Sequence, residues 1–202
     1  MTTDVAARME QVLGQPPRLE PLDYEALGAR ELELIERLRA LTANPPEKPV
    51  HSFFTTLAHQ PAFFEAYMQL GITAMGSASL GRRERELLIL RTGWLCGAPY
   101  QFGEHVISGK AAGLDDADIA RIKEGSTAEG WNEQDRGLLK AAEELHADSM
   151  IAEQTWASLA AWLTPGELIE LMIIVGHYHL TAFVQNSLRF AINPGRSGLA
   201  AS

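Results

Sequence analysis

The stretch Arg85-Glu86-Leu87-Leu88-Ile89-Leu90-Arg91, followed by Trp94-Leu95-Cys96-Gly97-Ala98-Pro99-Tyr100-Gln101-Phe102-Gly103-Glu104-His105, decides how this chain folds. The first part reads as a strong helix from about Arg82 to Leu95. Gly97 ends it, because glycine adopts the left-handed backbone that closes a helix. Pro99 suits a first helical position, where its missing N–H is not needed. A second helix then continues to about Ala112 and stops at Gly113. So short a connection makes the two helices neighbours.

On the first helix, Glu86, Ile89, Leu90 and Gly93 share a face at steps of three, four and seven. A carboxylate on an apolar stripe needs a partner, since burying it alone is expensive. Gly93 lets another helix approach closely. On the second helix Ala98, Gln101 and His105 share a face, which places His105 within plausible reach of Glu86. Two readings stand for such a pair: a satisfied polar contact in a core, or an acid–base couple in which Glu86 orients His105. Gln101 can donate and accept but cannot titrate, so it positions a substrate or His105.

These residues resemble the core of the carboxymuconolactone decarboxylase and alkylhydroperoxidase D-like family. The peroxidase branch of that family carries Cys-x-x-Cys-x-x-x-His. Counting back from His105, the two thiol positions fall on Ala98 and Gln101. A glutamate placed like Glu86 and the histidine remain, so thiol cycling is lost while proton transfer is retained. The resemblance spans about Ala62–Phe190 and is strongest over Arg82–Gly113. It implies an all-α bundle of about eight helices, assembled as a homo-oligomer of trimer or hexamer type. It also implies decarboxylase-like chemistry without a cofactor, on a small cyclic carboxylic acid or lactone. His105 and Glu86 would be catalytic, and Gln101, Tyr100, Arg85 and Arg91 would contact the carboxylate substrate. A thiol peroxidase and a non-catalytic helical binding protein are the alternatives.

Around this centre the chain reads as helical throughout, with no convincing strand alternation. Residues 1–23, rich in Pro and Gly, read as an arm. A domain follows over 24–192, and 193–202 read as a flexible tail. Helices are expected over Tyr24–Ala43, ended by Asn44-Pro45-Pro46-Glu47-Lys48-Pro49, and near His51–His59 and Pro61–Met75, with a loop at Gly76–Ser79. Asp115 with Asp118 caps another start, and Leu114 can staple to Ile119. Glu133–Ala147 and Ala152–Trp162 follow. Thr164-Pro165-Gly166-Glu167 opens a last helix to about Phe190 with an N-cap, a proline and a capping box.

The 202 residues contain 46% hydrophobic and 21% charged residues, as in an ordinary globular domain. A net charge of −9 argues against nucleic acid, whose binding needs basic patches. The apolar segment Leu168–Val184 is interrupted by Glu170, His177 and His179, so a buried helix is expected rather than a membrane span. Met1-Thr2-Thr3-Asp4-Val5 lacks the features of a secretory signal, and the cytoplasm is the expected location.

The single cysteine, Cys96, forbids an internal disulfide and reads as a small apolar residue at a helix end. Trp94 and Tyr100 read as packing, with Tyr100 able to place a hydroxyl in a pocket. Among Arg82, Arg83, Arg85 and Arg91, the choices for binding a carboxylate are Arg85 and Arg91. His177 and His179 lie about 200° apart on a helix and cannot chelate one ion together. His51, His59 and His146 have no second ligand at useful spacing, so no metal is assigned. There is no phosphate-binding glycine loop and no dinucleotide fingerprint.

Overall fold

Eight consecutive residues, Glu86 to Gly93, are buried in the helix Arg82–Leu95. A helix buried on every side has to be the centre of its bundle. In the computed structural model of the protein, which describes residues 4–42, 50–76 and 78–202, it is the fifth helix in chain order. The helices are α1 (Val5–Leu13), α2 (Ala29–Thr42), α3 (Ser52–Leu57), α4 (Pro61–Gly76), α5 (Arg82–Leu95), α6 (Pro99–Ala111), α7 (Asp116–Glu124), α8 (Glu133–Asp148), α9 (Glu153–Ala160) and α10 (Pro165–Leu188). Short 3-10 turns lie at Tyr24–Ala26 and Gly198–Ala200. Among the described residues no strand occurs and the α-helices number ten, somewhat more than the roughly eight expected.

The chain divides into two compact units, Pro17–Ala78 and Met1–Pro16 with Ser79–Ser202. The domain expected over 24–192 includes residues of both units. In the first unit α2 packs on α4 around Leu34, Ile35, Phe64, Met68 and Ile72. The helix expected over Tyr24–Ala43 is broken at Leu27, whose backbone is extended (φ −72°, ψ 141°), so α2 starts only at Ala29. The proline-rich terminator at 44–49 and Ser77 of the expected 76–79 loop lie outside the described residues.

In the second unit α6, α7, α8 and α10 pack around α5. The α5–α6 corner follows its sequence closely. Gly97 takes φ +52°, its N–H donates to Trp94 O at 3.0 Å, and the Ala98 N–H donates to Gly93 O at 2.9 Å. This closes α5 with the two hydrogen bonds of a glycine-terminated helix end. Asp115 with Asp118 and Thr164 with Glu167 both form complete capping boxes, as read from sequence.

Both ends of the chain depart from expectation. Residues 5–13 of the expected arm form α1, opened by Asp4, whose carboxylate accepts from the Ala7 N–H at 3.0 Å. Arg8 fixes that helix in place by donating to Gly97 O at 2.8 Å and Cys96 O at 3.3 Å. A guanidinium there meets the negative end of the α5 dipole. The expected flexible tail is packed too. Asn193 and Arg196 bind Glu104 at 2.9 and 3.0 Å, Lys123 donates to Ala201 O at 2.6 Å, and Leu199 is only 1% exposed. Gly198 (φ +56°) lies against Gly103, where a Cβ would meet the Gly198 nitrogen at 3.1 Å.

Helix α10 buries one face rather than all of itself. Leu171, Ile174, Val175 and Ala182 face the core. Ile169, Ile173, Leu180 and Phe183 remain 46–62% exposed. By length and composition alone α10 could cross a membrane, but its inner face is the core of a helical bundle.

If the C-terminal segment is part of the core, Leu199→Ala should cost about 2–3 kcal/mol in urea unfolding, the ordinary cost of emptying a buried leucine site. A frayed tail would leave the unfolding midpoint where it was.

Candidate functional site

Glu86 lies in the buried run of α5 and is 1% exposed. Its Oε2 sits 2.8 Å from His105 Nδ1 on α6. The two side chains meet because the Gly97 corner folds α6 back on α5, and because Gly93 leaves room between them. A Cβ on Gly93 would lie 3.1 Å from the end of the Gln101 amide. The carboxylate can only accept, so His105 Nδ1 carries the proton of this bond. Nε2, the other ring nitrogen, is left for further chemistry. The imidazole keeps 17% of its surface, whereas the Glu86 side chain keeps 2%. The acid is thus walled in, and the base faces outward.

Helix α10 supplies residues to which the sequence pattern assigned no part at this site. Tyr178 sets its ring edge-on to His105, with centroids 4.9 Å apart. His177 is buried at 6% exposure and lies close enough for His105 to act on its charge. Burial, with His105 adding to it, holds the His177 imidazole down to about 4, so this ring is neutral at pH 7. The signal for His177 was present as a polar residue in an apolar helical run, but the partner came from a helix more than 70 positions earlier.

Gln101 is 1% exposed. The orientation that satisfies its amide has nitrogen donating to Tyr178 O at 3.0 Å and oxygen accepting from the Gly93 N–H at 3.3 Å. It therefore ties α5, α6 and α10 together one turn before His105. That is a positioning role, not a contact offered to a substrate.

The remaining sequence candidates do not converge on the pair. Tyr100 is buried, receives a hydrogen bond from Asn193 at 3.2 Å and packs edge-on to Phe190, so it serves the C-terminal segment. Arg91 is 7% exposed and fully engaged. It donates to Glu143 at 3.0 Å and to the carbonyls of Ile122 and Lys123 at 2.8 and 2.9 Å. As a substrate-binding residue Arg91 is corrected: its guanidinium closes the C-terminal end of α7 against α8. Arg85 donates to Leu80 O and stays half-buried, and so keeps access to a ligand that Arg91 lacks. Trp94 packs on Phe102 at 5.6 Å, as expected of a packing residue.

Ala98 and Gln101, at the two thiol positions, are both buried. Burial pushes the Cys96 thiol up to about 11, against the lowering effect of Arg8, so it is protonated at neutral pH. Cys96 nevertheless has neighbours that chain spacing could not show. Its sulfur, His146 and His179 place donor atoms within 4.8 Å of one another, which corrects the expectation that His146 has no second ligand. A cavity of about 370 Å³ is lined by His146 and His179, not by Glu86 or His105.

Residues 61–144, which carry both the glutamate and the histidine, match the family model described as the carboxymuconolactone decarboxylase family. No curated protein matches the sequence. Solved structures that share the fold include three of interest. One is a protein of unknown function from Agrobacterium tumefaciens, provisionally assigned to AhpD antioxidant defence (20% identity, TM-score 0.62, covering 67% of this chain and 93% of that one). Another is the AhpD-core, peroxidase-related protein from Ralstonia eutropha JMP134 (17%, TM-score 0.74, 89% and 94%). The third is the debrominase Bmp8, as a cysteine-to-alanine variant in complex with 2,3,4-tribromopyrrole (12%, TM-score 0.74, 89% and 94%). At these identities the likeness concerns the fold.

The buried His177 has a consequence for stability. Its folded-state value, about 4, lies below the ordinary 6.5. The unfolded chain therefore takes up the proton first as pH falls. Stability from this group is complete above about pH 6.5 and is lost progressively toward pH 4, amounting to about 3 kcal/mol. Urea unfolding at pH 7 and pH 4.5 should show a larger acid loss in the wild type than in His177→Gln, by about 2–3 kcal/mol. Equal losses would show that His177 is not held neutral.

Proposed function

We propose that this chain, which belongs to the carboxymuconolactone decarboxylase and alkylhydroperoxidase D-like family, is a proton-transfer enzyme of decarboxylase type acting on a small cyclic carboxylic acid or lactone. The observation that carries the reading is the 2.8 Å contact between His105 Nδ1 and the buried Glu86 carboxylate. It holds the imidazole in one tautomer and leaves Nε2 as the nitrogen not bonded to Glu86, which is what a general acid–base needs.

In the decarboxylation step the bond between ring carbon and carboxylate breaks. CO₂ leaves, and the electron pair stays on the ring carbon, delocalised into the adjoining carbonyl. His105 delivers a proton from Nε2 to that carbon while its Nδ1–H stays bonded to Glu86. The edge of Tyr178 packs against the imidazole and limits its rotation. Arg85 is the guanidinium available for a second carboxylate.

The thiol peroxidase alternative has less support. Its two sulfur positions hold Ala98 and Gln101, and the remaining thiol is protonated. Attack on peroxide needs the thiolate. Self-association belongs to the same proposal. Ile169, Ile173, Gly176, Leu180 and Phe183 recur at alternating steps of four and three, and the four large side chains among them are exposed. That spacing forms a helical seam whose natural partner is a like helix from a second copy.

Two measurements follow. Turnover of cyclic carboxylic acids, read as loss of CO₂ by mass spectrometry, should fall by about 10²–10⁴-fold in His105→Asn. Undiminished turnover in that variant would dismiss the acid–base role. Light scattering should show an oligomer that dissociates in Ile173→Glu, whereas a monomeric wild type would dismiss the seam.

A further inference from the structure

Helices α5, α8 and α10 bring together three donor side chains that the proton-transfer site does not use. Cys96 sits at the C-terminal end of α5, His146 in the last turn of α8 and His179 in the middle of α10. The Cys96 sulfur lies 4.0 Å from His146 Nδ1, and His146 Nδ1 lies 2.9 Å from His179 Nε2. All three donor atoms fall within 4.8 Å of one another. Bond lengths of about 2.3 Å to sulfur and about 2.0–2.1 Å to nitrogen place tetrahedral zinc donors about 3.6 Å (S to N) and about 3.3 Å (N to N) apart. The cluster reaches that arrangement when the first distance closes and the second opens by about 0.4 Å each, and the third pair, Cys96 sulfur to His179 Nε2, comes from within 4.8 Å to about 3.6 Å.

The surroundings favour an ion over a chance meeting of side chains. His179 Nδ1 donates to Val175 O at 2.8 Å. The carbonyl fixes the proton on Nδ1 and leaves the Nε2 lone pair facing His146, as the outer hydrogen bond of a metal-bound histidine does. The backbone of Cys96 is held from two sides, its carbonyl accepting from Asn186 at 3.1 Å and from Arg8 at 3.3 Å. Arg91, whose charge reaches His146, is neutralised by Glu143 at 2.9 Å. Cys96 and His179 are half-buried and His146 is exposed, so an ion has access.

We propose that Cys96, His146 and His179 form a binding site for a borderline-soft divalent cation of the zinc class. One thiolate and two imidazoles suit zinc or cobalt and do not suit magnesium or calcium, which take oxygen donors. Binding replaces the thiol proton and moves the His146 proton from Nδ1 to Nε2: Cys96–SH and M²⁺ give Cys96–S–M⁺ and H⁺, with no change of oxidation state. Three protein ligands leave a fourth position open, which is the pattern of reactive rather than purely structural zinc sites. Next to it lies the cavity of about 370 Å³ lined by His146, His179, Met172, Val175, Gly176 and Phe183. Its mainly apolar wall fits a small, weakly polar molecule as the fourth ligand.

The test uses the full chain, stripped with a chelator and titrated with Co²⁺. One equivalent per chain should bind and produce a thiolate-to-cobalt charge-transfer band, and Zn²⁺ should bleach it. The band should vanish in Cys96→Ser, and binding should weaken by more than about tenfold in His146→Gln and His179→Gln. In the unaltered protein Zn²⁺ should also protect Cys96 from a thiol-specific reagent, which needs no variant to fold. His105→Asn should bind cobalt as the wild type does, so the cation site and the proton-transfer site stand or fall separately. A titration without a thiolate band, a band that survives in Cys96→Ser, or a thiol equally reactive with and without Zn²⁺ would overturn the proposal.

Discussion

A carboxylate at 1% exposure is the constraint around which this molecule is arranged. A carboxylate in a helical core is costly unless it is paired, and Glu86 is paired with His105 Nδ1 at 2.8 Å. Keeping that partner in place requires α6 to return tightly along α5. That return requires the left-handed Gly97 and the space left by Gly93. Gln101 bridges α5, α6 and α10 one turn away, so the pair sits where three helices are locked together. The same lock leaves His105 as the outward-facing member. A contact made to satisfy the core therefore also presents a directed imidazole.

The other end of α5 is organised by different means. Its terminal carbonyls are taken by Arg8 and Asn186, residues far apart in sequence. Arg91 clamps the end of α7 to α8, and Lys123 holds the C-terminal segment while lying over Trp94 and Phe102. These basic groups serve helix ends and chain termini, which explains why arginines so close to Glu86 in sequence do not gather around a carboxylate ligand. The positive charges of this region are largely committed before any substrate arrives.

What sequence could convey divides along the range of the interaction. The bounds of α5, the α5–α6 corner and the starts at Asp115 and Thr164 were legible because caps, proline and glycine act within a few residues. The Glu86–His105 contact was legible for the same reason, since one short corner joins their helices. Helix α1 was not. Its position depends on Arg8 reaching carbonyls 88 and 89 residues away. The C-terminal segment is held in the same long-range way, with Ala201 O accepting from Lys123 of α7 and Leu199 buried in the turn that packs on α6. Cys96, His146 and His179 are separated by 50 and 33 positions, and only the packing of three helices reveals them as neighbours. Three of the four sequence-chosen binding residues, Gln101, Tyr100 and Arg91, carry structural bonds, which composition of a helix face cannot distinguish from a binding role.

The tautomer of the His105 ring, read by nitrogen NMR of the neutral imidazole, tests the central claim most directly. With Glu86 ionised and in contact, the proton should reside on Nδ1 and leave Nε2 as the basic nitrogen, and Glu86→Gln should shift the ring toward the ordinary Nε2–H form. A wild-type His105 already in the Nε2–H form, unchanged by Glu86→Gln, would contradict the account.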